Sequence, residues 1–458
     1  MKSKIFILFL IFGILLTTAC NQTRKNASEV VNEEITNPLS WADDAVMYEV
    51  NIRQFTPEGT FNAFSKHLQR LKNLGVEILW FMPIHPIGEK NRKGTLGSYY
   101  SIKDYKAVNP EFGTFEDFKS LVSKAHEMGF RVLIDCVANH TSWDNVWMKD
   151  HKDWYTQDSL GNIVPPVSDW SDVADLNYDN PGLRAAMIDA MKFWVAKADI
   201  DGYRCDYAGG VPTDFWESAR ASLDSIKPVF MLAEDEDHLD LLNKAFDCYY
   251  GWTMHHYMNE IYSGEKSVID IKGYFAQVDS TYPEGTYPIQ FTSNHDENSW
   301  NGTANERLGS AVKTFAALSF TVPGMPLIYN GQEVGLNKRL EFFEKDKIDW
   351  NGDLSITELY LKLIELKKNN EALWNGSAGG AIVFLDTSDP GKLLAFKREK
   401  DGNSITVIMN LSDETLEGSV SSVRENEIKE YFSGRKITFG NDEILVLKPW
   451  EYLVFEKK

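Results

Sequence analysis

Four carboxylates, Asp135, Asp206, Glu234 and Asp296, each close a short apolar run in this 458-residue chain. Val132-Leu133-Ile134 leads to Asp135 and Phe230 to Ala233 leads to Glu234, and further predicted strands end at Asp206 and Asp296. If the runs are parallel strands, their C-terminal ends converge on one rim, where such sheets hold reacting groups. A lone carboxylate there is usually a helix cap or an ion-pair partner, whereas four together point to acid–base or nucleophilic work. Arg204 stands two residues before Asp206, hence on the same strand face, where a guanidinium keeps a carboxylate ionised. Glu234, which follows an apolar stretch, is in surroundings that raise a carboxyl pKa. One ionised and one protonated carboxyl side by side make a nucleophile and a general acid. His140 and His295 flank the same rim.

The elements that must position these groups follow from periodicity. Further apolar runs end near Asn51, Pro83 and Gly331 and around Tyr249, with helical patterns between the runs. Thr114 with Asp117 three residues on has capping-box spacing, and Asn180 before Pro181 is a second helix start. Strand alternating with helix eight times predicts a parallel (β/α)₈ TIM barrel over 41–372. At about 31 residues per unit, the interval from Asp135 to Asp206 holds one unit plus roughly 40 residues. The excess places an inserted small domain at 141–180, over the active face. After Asn375 the period changes to two, in runs such as Leu393–Phe396, Ile405–Met409 and Tyr452–Phe455, so 375–458 reads as a C-terminal antiparallel β-sandwich.

The chain carries 47 Lys+Arg against 67 Asp+Glu, a formal charge of −20 that argues against nucleic acid as a partner. Lys2 and Lys4 precede an apolar run from Ile5 to Leu16, then Thr17-Thr18-Ala19-Cys20. That run is too short to span a bilayer and reads as a signal peptide over 1–19. The Cys after a small residue resembles the bacterial lipoprotein signal, which implies acylation of Cys20, a polar tether over 20–40, and an exported protein held to a membrane of the cell envelope. Cys136, Cys205 and Cys248 lack the spacing of a disulfide framework or metal site and are expected as buried free thiols.

Read together, the motifs resemble the α-amylase family of glycoside hydrolases. Asp135-Cys136-Val137-Ala138-Asn139-His140 is similar to its third-strand motif and Gly202-Tyr203-Arg204-Cys205-Asp206 to the fourth-strand motif that carries the nucleophile. Ala233-Glu234 matches the fifth-strand acid, and Ser293-Asn294-His295-Asp296 the seventh-strand motif. Gly75 to Pro83, Gly324 to Gly331 and Val173-Ala174-Asp175-Leu176-Asn177 resemble further family segments. The resemblance implies Asp206 as nucleophile, Glu234 as general acid/base and Asp296 as the carboxylate that grips sugar hydroxyls. It implies Tyr100, His140, His295, Arg204 and Asp135 as substrate-binding residues. The implied reaction is hydrolysis of α-1,4 bonds in starch, maltodextrins or related α-glucans with retention, through a covalent glycosyl-enzyme. The two carboxyls should then lie about 5–5.5 Å apart.

One departure bears on metal. Family members often carry Lys-His three and four residues after the nucleophile, the His lending a carbonyl to a structural calcium, and here Gly209-Gly210 stand instead. Oxygens from Asn139, Asp169, Asp172 or Asp175 remain available. The expectation is that no cofactor is required and that activity survives chelation. Two other readings stay open: a transglycosylase or isomerase of the same family acting on malto-oligosaccharides or another α-glucoside, and a non-catalytic glycan-binding lipoprotein. The intact Arg204, Asp206, Glu234 and Asp296 argue against the last.

Overall fold

The computed structural model describes residues 37–421, 428–437 and 444–457, so the predicted signal peptide and Cys20 lie outside the described residues. The described residues from Trp41 onward form one compact unit. Its centre is a closed eight-stranded parallel barrel. The barrel strands are β1 (Met47–Val50), β2 (Ile78–Phe81), β3 (Arg131–Cys136), β6 (Gly202–Cys205), β7 (Phe230–Ala233), β8 (Cys248–Tyr250), β9 (Tyr287–Gln290) and β10 (Met325–Tyr329), with β10 pairing back onto β1. Nearly every barrel-strand residue is buried. Strands covered on both faces therefore read as continuous apolar runs rather than alternations.

The helices that cover the barrel start where the sequence places caps. In α1 (Phe115–Glu127), Thr114 and Asp117 form the reciprocal capping box. In α2 (Pro181–Ala198), Asn180 accepts from Gly182 N and Leu183 N, with Pro181 in the first turn. The regular alternation fails once. Between β7 and β8 only a short 3₁₀ turn, Leu239–Asn243, replaces the fifth helix. Too few residues separate these strands to run a full helix back along the barrel, and buried Leu241 and Leu242 cover the gap. The next connection compensates with two helices, α4 (Trp252–Ser263) and α5 (Val268–Thr281), after α3 (Thr213–Asp224).

β4 (His140–Ser142) and β5 (Val173–Asp175) pair antiparallel across the segment inserted after β3, with His140 opposite Asp175. Later come α6 (Val312–Thr321) and α7 (Leu354–Asn369), then the C-terminal strands. These are β11 (Ile382–Phe384), β12 (Leu393–Lys400), β13 (Asn403–Asn410), β14 (Leu416–Gly418), β15 (Ile428–Lys429), β16 (Lys436–Ile437), β17 (Leu445–Leu447) and β18 (Tyr452–Lys457). β11, β12, β13 and β18 form one antiparallel sheet in that order, and β14 pairs β17. The β12–β13 hairpin turns on Asp401 and Gly402, both at positive φ (47° and 91°), as a tight primed turn requires. Cys136, Cys205 and Cys248 are free and buried.

Candidate active site

The β6–β7 edge of the barrel sets the site. Asp206 N donates to Cys136 O and Glu234 N to Cys205 O, each at 3.0 Å, so both residues continue the barrel ladder one step past their strands. Their side chains therefore emerge side by side at the rim. Asp296 arrives differently from the sequence-based expectation. β9 ends at Gln290, and Asp296 caps a π-helical turn, Glu297–Asn301, six residues further on. π-turns of this kind recur at functional sites because they re-aim side chains. Here the turn brings the Trp300 indole N–H to within 3.2 Å of Asp296 Oδ1, which accepts it.

Beneath the rim Arg204 has no exposed surface and holds the carboxylates together. Its Nη1 donates to Asp135 Oδ1 at 3.0 Å and to Asp206 Oδ1 at 3.1 Å, and its Nη2 is ion-paired with Glu234 Oε1 at 2.5 Å. The guanidinium packs against the rings of Trp80, Tyr250 and Tyr100, with its carbon 5.1, 5.4 and 5.7 Å from their centroids. Asp135 is also fully buried and takes bonds from Trp80 Nε1 at 3.3 Å and the Tyr100 hydroxyl at 3.1 Å. Neither Arg204 nor Asp135 lines the cleft; both are buried beneath it and orient the groups above them. A planar fork with five donors suits a single side chain that must serve three carboxylates at once.

Arg204 favours ionised Asp206, as expected, but burial acts more strongly in the other direction. Burial pushes Asp206 up to about 7 despite Arg204, with the Asp135 charge adding to the rise. Burial likewise pushes Glu234 up to about 7, with Arg204 opposing and Asp206 and Asp296 assisting. One guanidinium divided among Asp135, Asp206 and Glu234 cannot hold each in its charged form, so Asp206 and Glu234 compete for a proton near neutrality. Glu234 Oε2 additionally accepts from Tyr207 N at 2.8 Å. Tyr207 reaches that position in the left-handed region, φ 43°, a strained conformation for a bulky residue.

Above these groups opens a cleft of about 1060 Å³. Tyr100, His140, Asp206, Glu234, His295 and Asp296 all line it. Tyr100 stacks on His295, with ring centroids 5.3 Å apart. His140 is held neutral, its pKa pushed down to about 4 by burial. Trp170 of the inserted segment meets His140 edge-on at 5.5 Å and Tyr207 at 5.6 Å, which makes an aromatic wall. Sequence reasoning passed over Trp170, Trp300, Phe342 and Tyr250. It also passed over Glu49 of β1, whose Oε1 lies 2.5 Å from His295 Nδ1. Glu49 had one readable signal, a charged residue in the middle of an apolar barrel strand; the aromatics had none, because most aromatic rings are packing.

Of the oxygens named for calcium, those of Asp172 and Asp169 are engaged by a cation of the chain itself. The ammonium of Lys93, from the loop after β2, sits 3.0 Å from Asp172 Oδ1 and donates to Asp169 O at 3.0 Å. The Asn139 amide nitrogen pairs with His140 Nδ1. Among the described residues no group of three or more His, Cys, Asp or Glu side chains gathers to hold a metal. Gly209 and Gly210 are not loose either. A Cβ on Gly209 would fall 2.2 Å from Asp235 Oδ2, and one on Gly210 would fall 2.6 Å from Asn139 Oδ1.

Comparison with known proteins agrees with this arrangement. The family description "Alpha amylase, catalytic domain" matches residues 23–164 and 167–355, and "Maltogenic Amylase, C-terminal domain" matches residues 382–454. A noncanonic maltogenic α-amylase, AmyB from Thermotoga neapolitana, superposes with a TM-score of 0.82 at 31% identity, over 90% of this chain and 98% of that one. An α-amylase from Lactobacillus plantarum gives 0.81 at 30% identity, over 92% and 100%. Among curated relatives, alpha-amylase 3 of Dictyoglomus thermophilum is 27% identical over 85% of this chain and 88% of its own length. Alpha-amylase MalA of Haloarcula japonica is 26% identical over 82% of this chain, which spans only 56% of that relative. With a barrel matched over more than half its length, a matched C-terminal domain, and carboxylates joined by one arginine under an aromatic cleft, the chain belongs to the α-amylase family of glycoside hydrolases.

Proposed function

We propose that this protein hydrolyses α-1,4-glucosidic bonds of maltodextrins and starch with retention of anomeric configuration. The observation that carries the reading is Arg204, which contacts Asp206 and Glu234 together at the floor of the cleft. One guanidinium bridging both carboxyls supports the closer of the two spacings known for glycosidases, about 5–5.5 Å, which leaves no room for a water between nucleophile and sugar. Protonated Glu234 gives its proton to the glycosidic oxygen as that bond breaks. Asp206 attacks the anomeric carbon and forms a glycosyl ester. Glu234, now a carboxylate, takes a proton from water, whose oxygen displaces Asp206 and regenerates the acid. Asp296, His140, His295 and Tyr100 hold the sugar beside the cleaved bond. Relatives named maltogenic alpha-amylase (Bacillus acidopullulyticus) and cyclomaltodextrinase (Bacillus sp) support short or cyclic maltodextrins as substrates beside starch.

Purified protein incubated with starch, maltotriose, a cyclodextrin, pullulan and trehalose tests this reading. Glucose and maltose released first as α-anomers are expected. A first-formed β-anomer would replace retention by inversion, and cleavage of trehalose alone would replace the substrate. We also propose export with acylation of Cys20, supported by Lys2, Lys4, Ile5–Leu16 and Ala19-Cys20. Among the described residues no helix is long and apolar enough to cross a membrane. Full-length protein should enter the detergent phase, and Cys20→Ser should release or misprocess it. Wild type found wholly in the aqueous phase would refute acylation.

A further inference from the structure

Glu49 lies on a barrel strand with no exposed surface, and the reaction outlined above makes no use of it. It stands in register with Trp80 on one side and Tyr329 on the other. Its Oε1 is 2.5 Å from Nδ1 of His295. On the far side of the ring, Nε2 lies 2.8 Å from the Tyr100 hydroxyl and 3.3 Å from Asp296 Oδ2.

Counting hydrogens identifies the form of the ring. A carboxylate only accepts, so Nδ1 must bring a hydrogen to Glu49. With the single Tyr100 hydroxyl hydrogen directed at Asp135 Oδ2, 3.1 Å away, its oxygen accepts toward His295. Asp296 can only accept as well. Nε2 must therefore also carry hydrogen, and an imidazole with both nitrogens protonated is a cation. The charge balance agrees, because Arg204 alone already serves Asp135, Asp206 and Glu234.

We propose that Glu49 is a positioning residue that holds His295 as an imidazolium, the second positive charge of the site, which holds the Asp296 carboxyl aimed into the cleft. For its effect on rate the proposal rests on the glycosidase reading; for its effect on the ring it does not. The groups facing His295 are Glu49 from β1, Trp80 from β2, Asp135 from β3, Arg204 from β6, Tyr100 and Phe342 from loops, and its neighbour Asp296. Burial by itself discharges the ring, but Asp296 and Glu49 outweigh it and lift the pKa to about 9. Without Glu49, burial and the Arg204 charge are opposed by Asp296, whose side chain is 38% exposed and so screened by water, and by Asp135, which Arg204 already engages. A cation so stabilised loses its proton as pH rises through the folded-state value, and removing Glu49 moves that loss to lower pH.

Glu49→Gln tests this, because the amide oxygen still accepts from Nδ1 and only the charge is removed. Ring NMR assigned with His295→Asn reads the state without substrate. Wild-type His295 should remain protonated at pH 7.5, and in E49Q its midpoint should fall by about two units. On maltotriose, the wild-type to E49Q ratio of kcat/KM should grow about tenfold between pH 5.5 and pH 8, mostly through kcat. A wild-type ring titrating near the ordinary value of about 6.5 overturns the proposal even if E49Q does not fold. A kcat/KM ratio that does not change with pH overturns it too, since lost packing alone has no pH dependence. Wild type that cleaves no α-glucan defeats the glycosidase reading, while the ring titration still decides the role of Glu49.

Discussion

Asp206 and Glu234 occupy surroundings that suit reaction better than stability. Both carboxyls are raised to about 7, chiefly by burial, so their ionisation is penalised in the folded state. A carboxyl raised on folding contributes stability that is present below the unfolded-state pKa and is lost as pH rises through the folded value. Stability from these two groups should therefore decline between about pH 4 and pH 7. Glu234→Gln and Asp206→Asn remove the penalty, so each variant should melt above wild type, by more at pH 8 than at pH 5, in differential scanning calorimetry. Each should also lower kcat by about 10³-fold or more, because one member of an acid–nucleophile pair does not act alone. A variant that melts below wild type at pH 8 would place these residues in the structural core of the rim instead of in its chemistry.

The elements around the site are as constrained as the carboxylates. The turn Ala208–Gly210 after β6 passes so close to Asp235 and His238 that a methyl group on Gly209 has no space. Gly209→Ala should cost about 1–3 kcal/mol in denaturant unfolding by forcing apart the Asp235–His238 pair, which sits 2.9 Å apart. It should also lower kcat, since Asp235 adjoins Glu234. The inserted segment is tied to the loop after β2 by Lys93, which ion-pairs with Asp172 and donates to Asp169 O. EDTA should accordingly leave melting temperature and activity unchanged. Lys93→Met should weaken folding by only about 0.2–1 kcal/mol, the worth of a partly exposed pair, while raising KM because Lys93 lines the cleft. An activity abolished by EDTA and restored by calcium would show that a metal, not Lys93, fastens the insertion.

At the scale of the molecule, barrel and C-terminal sheet belong to one compact unit. Arg398 of β12 is almost fully buried, and its four partners are backbone carbonyls: Gly380, Trp374, and Thr321 and Val322 at the end of α6. A cation at a helix C-terminus satisfies the orphan carbonyls there. Burial brings the Arg398 pKa down to about 9, so its charge is held at a cost. Trp450 adds ring contacts to Phe315 of α6 and Tyr262 of α4. Arg398→Met strands several buried acceptors at about 1–3 kcal/mol each, so a loss of about 3 kcal/mol or more is expected. Barrel and sheet should unfold in one calorimetric transition in wild type, and two separate transitions would contradict a shared unit.

The order of the barrel strands, the two helix caps, the inserted segment and the β-rich C-terminus were all legible in the chain, because each is a local pattern of apolar period and capping residues. Asp206, Glu234, His140, His295 and Asp296 were legible as candidates, because residue type and place near a strand end are sequence properties. What each one touches is not. The chain presents Arg204 and Asp135 as residues like the others, and only closure of the barrel puts them under the cleft, where one guanidinium is divided among three carboxylates. The missing fifth helix, the π-turn that aims Asp296, and Lys93 reaching Asp172 each join segments far apart in sequence or depart from an average unit. Glu49 and His295 lie on the first and seventh βα units and meet only because the barrel closes, so the charge on the histidine is decided by tertiary structure alone.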